Sequence, residues 1–406
     1  MRLTNRAQGI SASLTLAITA KAAKMKKDGL DIISFGAGEP DFDTPDFIKN
    51  AAKDALDKGI TRYTDASGTP DLRKAIAADI KKLQGLDYDF SQIIVSNGAK
   101  HSLYNALAIT VQSGDEVIYP APFWLTYPEL VKLCDAVPVA IDTSTANYKL
   151  TPELLKKHIT KKTKAIIFNN PSNPSGIVYT KEEVFALAKE LEQHKDIVII
   201  SDEIYDRLSY ETKIVSIACY SQEIKTRTII VNGVSKSYAM TGWRIGYTAS
   251  ETAAAKAMGN IQSHATSNPN SIAQYATQAA LTNPQGDEFL AKMNTVFKSR
   301  RDMMKDIIKG AGLNIIEPGG AFYVMIDVSP YFGKTVGADA PDRPARVIKG
   351  AQCIAEVLLD EALVAVVPLE SFGADNFIRL SYATSDEMIK KGLERIIELL
   401  KTMHNA

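Results

Sequence analysis

The sequence predicts an α/β fold with a large, mostly parallel sheet domain and a smaller α+β domain. Through the middle of the chain, short runs rich in Ile and Val alternate with amphipathic helical patterns. This alternation is typical of parallel sheets covered by helices. Near residue 290 the order changes to one long helix followed by strands and further helices, which indicates a second unit. We place the large domain at 46–290 and the small domain at 1–45 and 291–406.

Start signals mark two of the predicted helices. Thr69 and Pro70 suit the N-cap and first residue of a helix over 69–83, and Thr180 with Glu183 forms a capping box before another helix. Residues 10–23 have a period that suits an amphipathic helix, which we favour over a signal peptide. The other predicted elements are helices at 99–111 and 287–312, strands at 115–120, 164–170, 196–201, 227–233, 321–329, 364–369 and 377–384, and an exposed loop at 333–346.

Composition argues against several classes of function. Lys plus Arg and Asp plus Glu both number 47, so the formal net charge is zero; general binding to nucleic acid or anionic membranes would need a basic excess. Three separated cysteines without a CxxC motif fit a reducing cytosol, which predicts a cytoplasmic protein. We predict no metal site, because no His/Cys pair has ligand spacing. No apolar run approaches the ~18 residues that span a bilayer.

Polar residues follow three of the predicted strands at the point where each strand ends. They are Asn173, Asp202, Tyr205 and Lys236. The carboxyl ends of parallel strands face one crevice, so we expect these side chains to converge. Each residue alone also fits a structural role, as a cap, a turn residue or a surface lysine. The functional interpretation therefore depends on their shared position at strand ends.

Several common active-site motifs are missing from the sequence. There is no GxGxxG after a strand, no GxxxxGK[ST] phosphate loop and no GxSxG nucleophile turn. An amine close to an acid, a phenol and an amide instead favours Schiff-base chemistry on a carbonyl, with a carbonyl cofactor as the preferred interpretation.

Nine stretches along nearly the whole chain carry a resemblance to one family. They are "GAGEPDFDTP" (36–45), "RYTDASGTPDLR" (62–73), "SNGAKHSLYNA" (96–106), "PFWLTYPE" (122–129), "NNPSNPSG" (169–176), "SDEIYDRL" (201–208), "SKSYAMTGWRIGY" (235–247), "PGGAFYVMID" (318–327) and "FIRLSYAT" (377–384). With them the chain resembles class I aminotransferases that depend on pyridoxal 5′-phosphate (PLP), especially the bacterial aspartate aminotransferase subgroup. The resemblance implies PLP as cofactor and the PLP-dependent transferase fold of the aspartate aminotransferase type.

The resemblance also implies roles at the cofactor ring. Lys236 would bind the cofactor aldehyde, and Asp202 would keep the pyridine nitrogen protonated. Tyr205 and Asn173 would hydrogen-bond the ring oxygen O3′, and Trp124 would stack on the ring face. Lys236, Asp202 and Tyr205 are the residues that we predict to be catalytic.

The cofactor phosphate would lie at a helix N-terminus beside an arginine. The residues implied on this side of the cofactor are Gly98, Ala99, Lys100, Ser235, Arg244 and, from a neighbouring subunit, Tyr63. The last of these implies a homodimer with shared active sites.

Substrate binding is implied at Gly38, Lys100, Trp124, Asn173 and Arg379. Arg379 would clamp the substrate α-carboxylate, although an internal salt bridge is the alternative. Gly38 would let the substrate approach the backbone. The stretch "IQSHATSNPN" (261–270) has no arginine for a distal carboxylate, so Lys100 takes this role or acts only as a counter-charge for the phosphate.

The resemblance implies transfer of an amino group between L-aspartate and 2-oxoglutarate, giving oxaloacetate and L-glutamate. Small amino and 2-oxo acids are then the partners, with no nucleic acid and no membrane. Prephenate or aromatic amino acids as main substrates, and a PLP-dependent lyase, remain alternatives. A PLP-binding regulator is disfavoured, because such proteins carry an N-terminal DNA-binding domain and the motifs here begin by residue 36.

Overall fold

The computed structural model describes residues 1–11, 14–336 and 345–405. The predicted loop at 333–346 lies in part outside these residues. At its two ends the prediction of a loop is wrong, because Lys334–Val336 and Arg346–Val347 form short strands that pair antiparallel with each other.

The α-helices of the described residues, in chain order, are α1 (Asn5–Gln8), α2 (Leu14–Lys27), α3 (Asp46–Asp57), α4 (Pro70–Gln84), α5 (Ala99–Thr110), α6 (Thr126–Leu133), α7 (Pro152–His158), α8 (Lys181–Leu191), α9 (Gln222–Thr226), α10 (Thr252–Ala265), α11 (Ser271–Thr282), α12 (Gln285–Gly310), α13 (Ala351–Glu361) and α14 (Asp386–Lys401). The strands are β1 (Ile33–Ser34), β2 (Ile93–Ser96), β3 (Glu116–Ala121), β4 (Val137–Asp142), β5 (Thr163–Asn169), β6 (Val198–Asp202), β7 (Thr228–Gly233), β8 (Gly246–Ala249), β9 (Ile315–Ile316), β10 (Tyr323–Asp327), β11 (Lys334–Val336), β12 (Arg346–Val347), β13 (Val364–Ala365), β14 (Val367–Pro368), β15 (Phe377–Ser381) and β16 (His404–Asn405).

The larger sheet has seven strands in the order β2-β8-β7-β6-β5-β3-β4. Strands β7, β6, β5, β3 and β4 pair in parallel, whereas β8 is antiparallel to both of its neighbours, so the predicted mostly parallel sheet is confirmed. Both faces of the sheet are buried: Ala165 and Ile167 of β5 join one apolar layer, and Ile166 and Phe168 join the other. Burial on both faces explains why these strands read as continuous apolar runs.

The predicted helix starts are confirmed. The Thr69 hydroxyl accepts a hydrogen bond from the backbone N–H of Leu72, and Pro70 begins α4. Thr180 and Glu183 form the reciprocal capping box before α8. The prediction of one strand over 364–369 is wrong, because the chain forms two short strands there, β13 and β14, which belong to different sheets.

A second, antiparallel sheet lies in the last third of the chain, in the order β14-β15-β10-β9. The short strand β1 pairs in parallel with β13, which brings the N-terminal region beside this part of the chain. Arg379 lies on β15, opposite Met325 of β10. The boundaries of the two predicted domains stay a prediction.

Candidate active site

A cavity of about 410 Å³ opens at the carboxyl ends of β5, β6 and β7. The strand-end residues Asn173, Asp202, Tyr205 and Lys236 all line it, as the sheet argument predicted. The other predicted site residues that line this cavity are Gly38, Ala99, Lys100, Trp124, Ser235, Arg244 and Arg379.

Two of the predicted site residues do not line the cavity. Gly98 is the N-cap of α5 with φ +89°, and a Cβ atom built there would lie 2.9 Å from the guanidinium carbon of Arg244. Glycine at this position therefore lets Arg244 approach the start of α5. The side chain of Tyr63 is 90% exposed and lies outside the cavity of its own chain.

The amine of Lys236 is partly buried in the cavity wall. Its Nζ atom donates a hydrogen bond of 2.6 Å to the carbonyl oxygen of Gly38. Burial lowers the pKa of Lys236 to about 8, and the positive charges of Arg244 and Arg379 act in the same direction. A much larger fraction of the amine is therefore neutral near neutral pH than for an ordinary lysine, and the neutral amine is the nucleophile.

Asp202 is the last residue of β6 and is buried beside the cavity. One carboxylate oxygen accepts a 2.7 Å hydrogen bond from the Tyr127 hydroxyl, and the other accepts from the backbone N–H of Ile204 at 3.2 Å. Burial raises the pKa of Asp202 to about 6, although these donors and the charge of Lys236 oppose the shift. A cation placed against this carboxylate would favour its ionised form, which suits a protonated ring nitrogen.

Arg379 is a buried cation with unused hydrogen-bonding capacity. Its Nη1 donates to the side-chain oxygen of Asn173 at 2.9 Å, and its guanidinium lies 4.3 Å from the Tyr323 ring centre. Its Nε is buried and has no hydrogen-bond partner within residues 1–11, 14–336 and 345–405. The alternative of an internal salt bridge is not found for Arg379 among the described residues. Because burying an unpaired charge is costly, this guanidinium is suited to bind an anion, and a carboxylate matches its geometry.

The hydroxyl of Tyr205 lies 2.9 Å from the hydroxyl of Tyr323. Burial raises the pKa of Tyr205 well above its ordinary value, so the phenol keeps its proton and can donate a hydrogen bond. The hydroxyls of Tyr205 and Tyr323 therefore face each other at the cavity wall. An oxygen on a bound ring would compete with Tyr323 for the hydrogen bond that the Tyr205 hydroxyl donates.

Positive charge gathers where α5 begins. Arg244 has a left-handed backbone (φ +58°), and its Nη1 donates to the carbonyl oxygen of Thr241 at 2.8 Å. Ala99 is the first residue of α5, whose N-cap glycine offers no side-chain cap. The ammonium of Lys100 lies 4.9 Å from the Trp124 ring centre, and burial lowers its pKa, with Arg244 as a smaller cause. Free N–H groups and an arginine at a helix N-terminus suit a phosphate dianion.

Several cavity residues were not singled out from the sequence. Tyr127, Tyr323 and Thr241 lie within motifs that carry the resemblance, yet nothing in the local pattern shows which aromatic or hydroxyl side chain faces the cavity. The bond between Tyr127 and Asp202 joins residues 75 positions apart. Only the tertiary fold, not a spacing rule, reveals such a contact.

Two predicted absences can be compared with the described part of the chain. Within residues 1–11, 14–336 and 345–405, no group of three or more His, Cys, Asp or Glu side chains is arranged to hold a metal ion. In the same ranges no helix is long and apolar enough to cross a membrane.

Comparisons with known proteins agree with the site geometry. The model of the family "Aminotransferase class I and II" matches residues 30–396. An aspartate aminotransferase of Bacillus sp. (strain YM-2) is 46% identical over 402 residues, which cover 98% of this chain and 99% of the relative. An aspartate/prephenate aminotransferase of Cereibacter sphaeroides is 45% identical over 390 residues, covering 95% and 96%.

Solved structures are similar over the same length. The aspartate aminotransferase of Rhizobium meliloti superposes with a TM-score of 0.94 at 40% identity and covers 100% of both chains. The aspartate aminotransferase of Thermus thermophilus with maleate gives a TM-score of 0.91 at 40% identity, covering 98% of this chain and 100% of the other. Family match, relatives and fold agree, and the chain belongs to the class I and II aminotransferase family.

Proposed function

We propose that the protein is an aspartate aminotransferase, which moves the amino group between L-aspartate and 2-oxoglutarate and forms oxaloacetate and L-glutamate. One observation carries this proposal: a partly neutral amine, Lys236, shares a cavity with a buried carboxylate, Asp202, and a buried guanidinium without an anion, Arg379. The names of the similar proteins agree with it.

The cofactor is pyridoxal 5′-phosphate, which class I aminotransferases use. When bound, PLP supplies an aldehyde that takes up the amino group and a ring that withdraws electrons from the substrate α-carbon. Among the residues present, Lys236 would hold the aldehyde and Asp202 the ring nitrogen. Ser235, Arg244 and the start of α5 would hold the phosphate.

In the reaction we assign proton transfer to Lys236. With a pKa of about 8, its amine can take a proton from the substrate α-carbon and later return one near neutral pH. The Arg379 guanidinium would hold the α-carboxylate, and Asn173 would orient that guanidinium through the 2.9 Å hydrogen bond. The Tyr205 phenol would keep its proton and donate a hydrogen bond to the ring oxygen O3′.

Lys100 is our candidate for binding the distal carboxylate of a dicarboxylic substrate. Its ammonium lies above the Trp124 ring, and both residues line the cavity. The Thermus thermophilus relative was solved with maleate, which is a dicarboxylate. A role as counter-charge for the phosphate is the alternative, and prephenate as a further substrate is supported by the name of the Cereibacter sphaeroides relative.

The assembly that we propose is a homodimer in which the partner subunit's Tyr63 reaches the phosphate. The 90% exposure of the Tyr63 side chain in the single chain supports this arrangement. We further propose a cytoplasmic location, which three cysteines without disulfides support, and the division into 46–290 and 1–45 with 291–406.

A transamination screen over aspartate, prephenate, tyrosine, phenylalanine and alanine tests the proposal. We expect the highest kcat/KM for aspartate with 2-oxoglutarate, one 2-oxo acid formed per amino group moved, and no free ammonia. Release of ammonia with pyruvate would favour the lyase. A higher kcat/KM for prephenate or an aromatic amino acid would replace aspartate as the main substrate.

A further inference from the structure

Residues 38–44, here called the covering segment, are joined to residues 236–244, here called the lysine loop. The hydrogen bonds between them run from Lys236 Nζ to the Gly38 carbonyl (2.6 Å), from Thr241 Oγ1 to Glu39 Oε2 (2.6 Å), from Thr44 Oγ1 to the Ala239 carbonyl (2.6 Å), and from Trp243 Nε1 to Thr44 Oγ1 (3.0 Å). A segment far away in sequence therefore holds the loop that carries both Lys236 and Arg244.

The lysine loop needs such support because its backbone is strained at two places. Ala239 has φ +51° and Arg244 has φ +58°, and neither is a glycine. Left-handed backbone at such residues costs on the order of 1 kcal/mol each, and it persists where surrounding contacts fix it. The covering segment supplies these contacts on both sides of Thr241.

Glu39 is the acidic residue of the covering segment that contacts the loop. Of the other two acids, Asp41 forms an ion pair with Arg300, and Asp43 is exposed. The carboxylate of Glu39 accepts a hydrogen bond from the Thr241 hydroxyl, while the carbonyl oxygen of Thr241 accepts one from Arg244. Although Glu39 is exposed, this hydrogen bond holds its carboxylate beside Thr241, and both Thr241 and the neighbouring Gly38 line the cavity with Lys236.

Charges of both signs surround the amine of Lys236. Arg244 and Arg379 disfavour its protonated form, whereas Glu39 and Asp202 favour it. Asp202 is the residue that we expect to face the ring nitrogen of the cofactor. Glu39 is then the carboxylate left to balance the two arginines around the amine.

We propose that Glu39, fixed by Thr241, is a positioning residue that keeps the Lys236 amine basic enough to accept a proton during the reaction. The inference rests on the role of Lys236 under the proposed function. A base works best when its pKa lies near the operating pH. Burial and the charges of Arg244 and Arg379 lower the pKa of Lys236, and the charge of Glu39 opposes this shift.

Competitive labelling of lysines with acetic anhydride across a pH series, read by peptide mass spectrometry on the cofactor-free protein, measures the titration midpoint of Lys236. In Glu39→Gln the amide can still accept from Thr241, but the charge is lost. We expect the Lys236 midpoint to move to lower pH by about 1. The matched control is Asp43→Asn, which removes an exposed carboxylate of the same segment and should leave the midpoint unchanged.

Thr241→Val is a second variant, in which the carboxylate remains but its anchor is lost. We expect a smaller shift in the same direction. A Glu39→Gln midpoint equal to that of the unaltered protein, or an equal shift in Asp43→Asn, overturns the proposal; an unshifted Thr241→Val removes Thr241 from it. Borohydride reduction of the PLP-loaded protein separately identifies the lysine that binds the cofactor. A lysine other than Lys236 would contradict the proposed function, whatever the labelling shows.

Discussion

The buried side chain of Arg379 by itself indicates an anion-binding site. Burying a guanidinium without an anion is costly, and within the part of the chain that the structure describes its hydrogen-bond partners are neutral, Asn173 and the Gly36 carbonyl. The ring of Tyr323 adds a cation–π contact at 4.3 Å. These contacts orient the guanidinium but leave its charge uncompensated, which supports our proposal that it binds a substrate carboxylate.

Replacing Arg379 with alanine should therefore weaken the reaction of every amino-acid substrate. We expect a lower kcat/KM, which corresponds to a loss of about 2–5 kcal/mol of transition-state stabilisation, because a buried charge pair with the α-carboxylate is lost. Steady-state kinetics with aspartate and alanine measure it. Arg379→Lys serves as control, since it keeps the charge but loses the two-pronged geometry and should show a partial loss. Unchanged kcat/KM in Arg379→Ala would place the carboxylate clamp elsewhere.

A substitution at Lys100 tests binding of the substrate side chain separately from binding of the α-carboxylate. Lys100→Ala should lower kcat/KM for aspartate more than for alanine, by roughly 1–3 kcal/mol, because only aspartate carries a distal carboxylate. The ratio of the two kcat/KM values is the measurement. An equal loss with both substrates, accompanied by weaker PLP binding, would assign Lys100 to the phosphate instead.

At the scale of elements, three acidic side chains lie close together at the end of β6 and in the turn after it. Asp202 and Glu203 are buried and Asp206 is half-buried, and burial raises their pKa values to about 6, 7 and 6. One carboxylate oxygen of Glu203 accepts from the hydroxyls of Ser201 (2.8 Å) and Ser216 (2.6 Å). Glu203 follows Asp202 directly in the sequence but does not line the cavity.

Glu203 should make the cofactor-free protein less stable as the pH rises. Its folded pKa of about 7 lies above the ordinary 4.5, so the folded state binds more protons between these values and loses free energy of unfolding across them. In Glu203→Gln this loss should disappear. The difference in free energy of unfolding between variant and unaltered protein should shift in favour of the variant by about 1–3 kcal/mol from pH 5 to pH 8.

Urea unfolding at several pH values measures this difference. Glu394→Gln is the matched control, because Glu394 is exposed on α14 and its neutralisation should leave the pH dependence unchanged. A Glu203→Gln variant with the same pH dependence as the unaltered protein would contradict the prediction.

Elements with strong local signals were predictable from the sequence, and those defined by tertiary pairing were not. The caps at Thr69 and Thr180 and the continuous apolar strand β5 act within a few residues, so their positions follow from local rules. The stretch 364–369 is equally apolar, but its division into β13 and β14 depends on which neighbouring strand each half meets. The local sequence therefore does not predict where this stretch divides.

The candidate site follows the same physical division. Strand ends predicted that Asn173, Asp202 and Lys236 converge, since parallel strands share one edge. The contacts of Glu39 with Thr241 and of Tyr127 with Asp202 join segments 202 and 75 residues apart, and no spacing rule connects them. Family resemblance supplied the candidate role of Arg379, whose strand belongs to the second sheet.

At the scale of the whole molecule, the cavity draws on distant parts of one chain. Gly38 comes from the N-terminal region, Lys236 follows the seven-stranded sheet, and Arg379 lies on the antiparallel sheet. Tyr63 remains apart, with its side chain exposed to solvent. An exposed aromatic residue of this size suits a contact between subunits, and in the proposed dimer the partner subunit's Tyr63 would complete the phosphate site.

Mixing two inactive or weakened variants tests the shared site. Lys236→Ala should lose nearly all turnover, and Tyr63→Ala should weaken phosphate binding and lower activity about 10-fold through a lost charged hydrogen bond. If Tyr63 acts across subunits, a mixed dimer contains one site with both residues intact and one with both altered. Unfolding and refolding an equal mixture should then recover about a quarter of the unaltered activity, because half of the dimers are mixed.

The unaltered protein refolded alone provides the reference for yield, and a mixture kept without unfolding provides the baseline. If Tyr63 instead serves its own chain, every site in the mixed dimer has one altered residue, since each chain carries one substitution. Activity would then not exceed the mean of the two variants after refolding. Recovery above that mean requires the residues to come from different chains, so this measurement decides between a shared and a self-contained site independently of any change in stability.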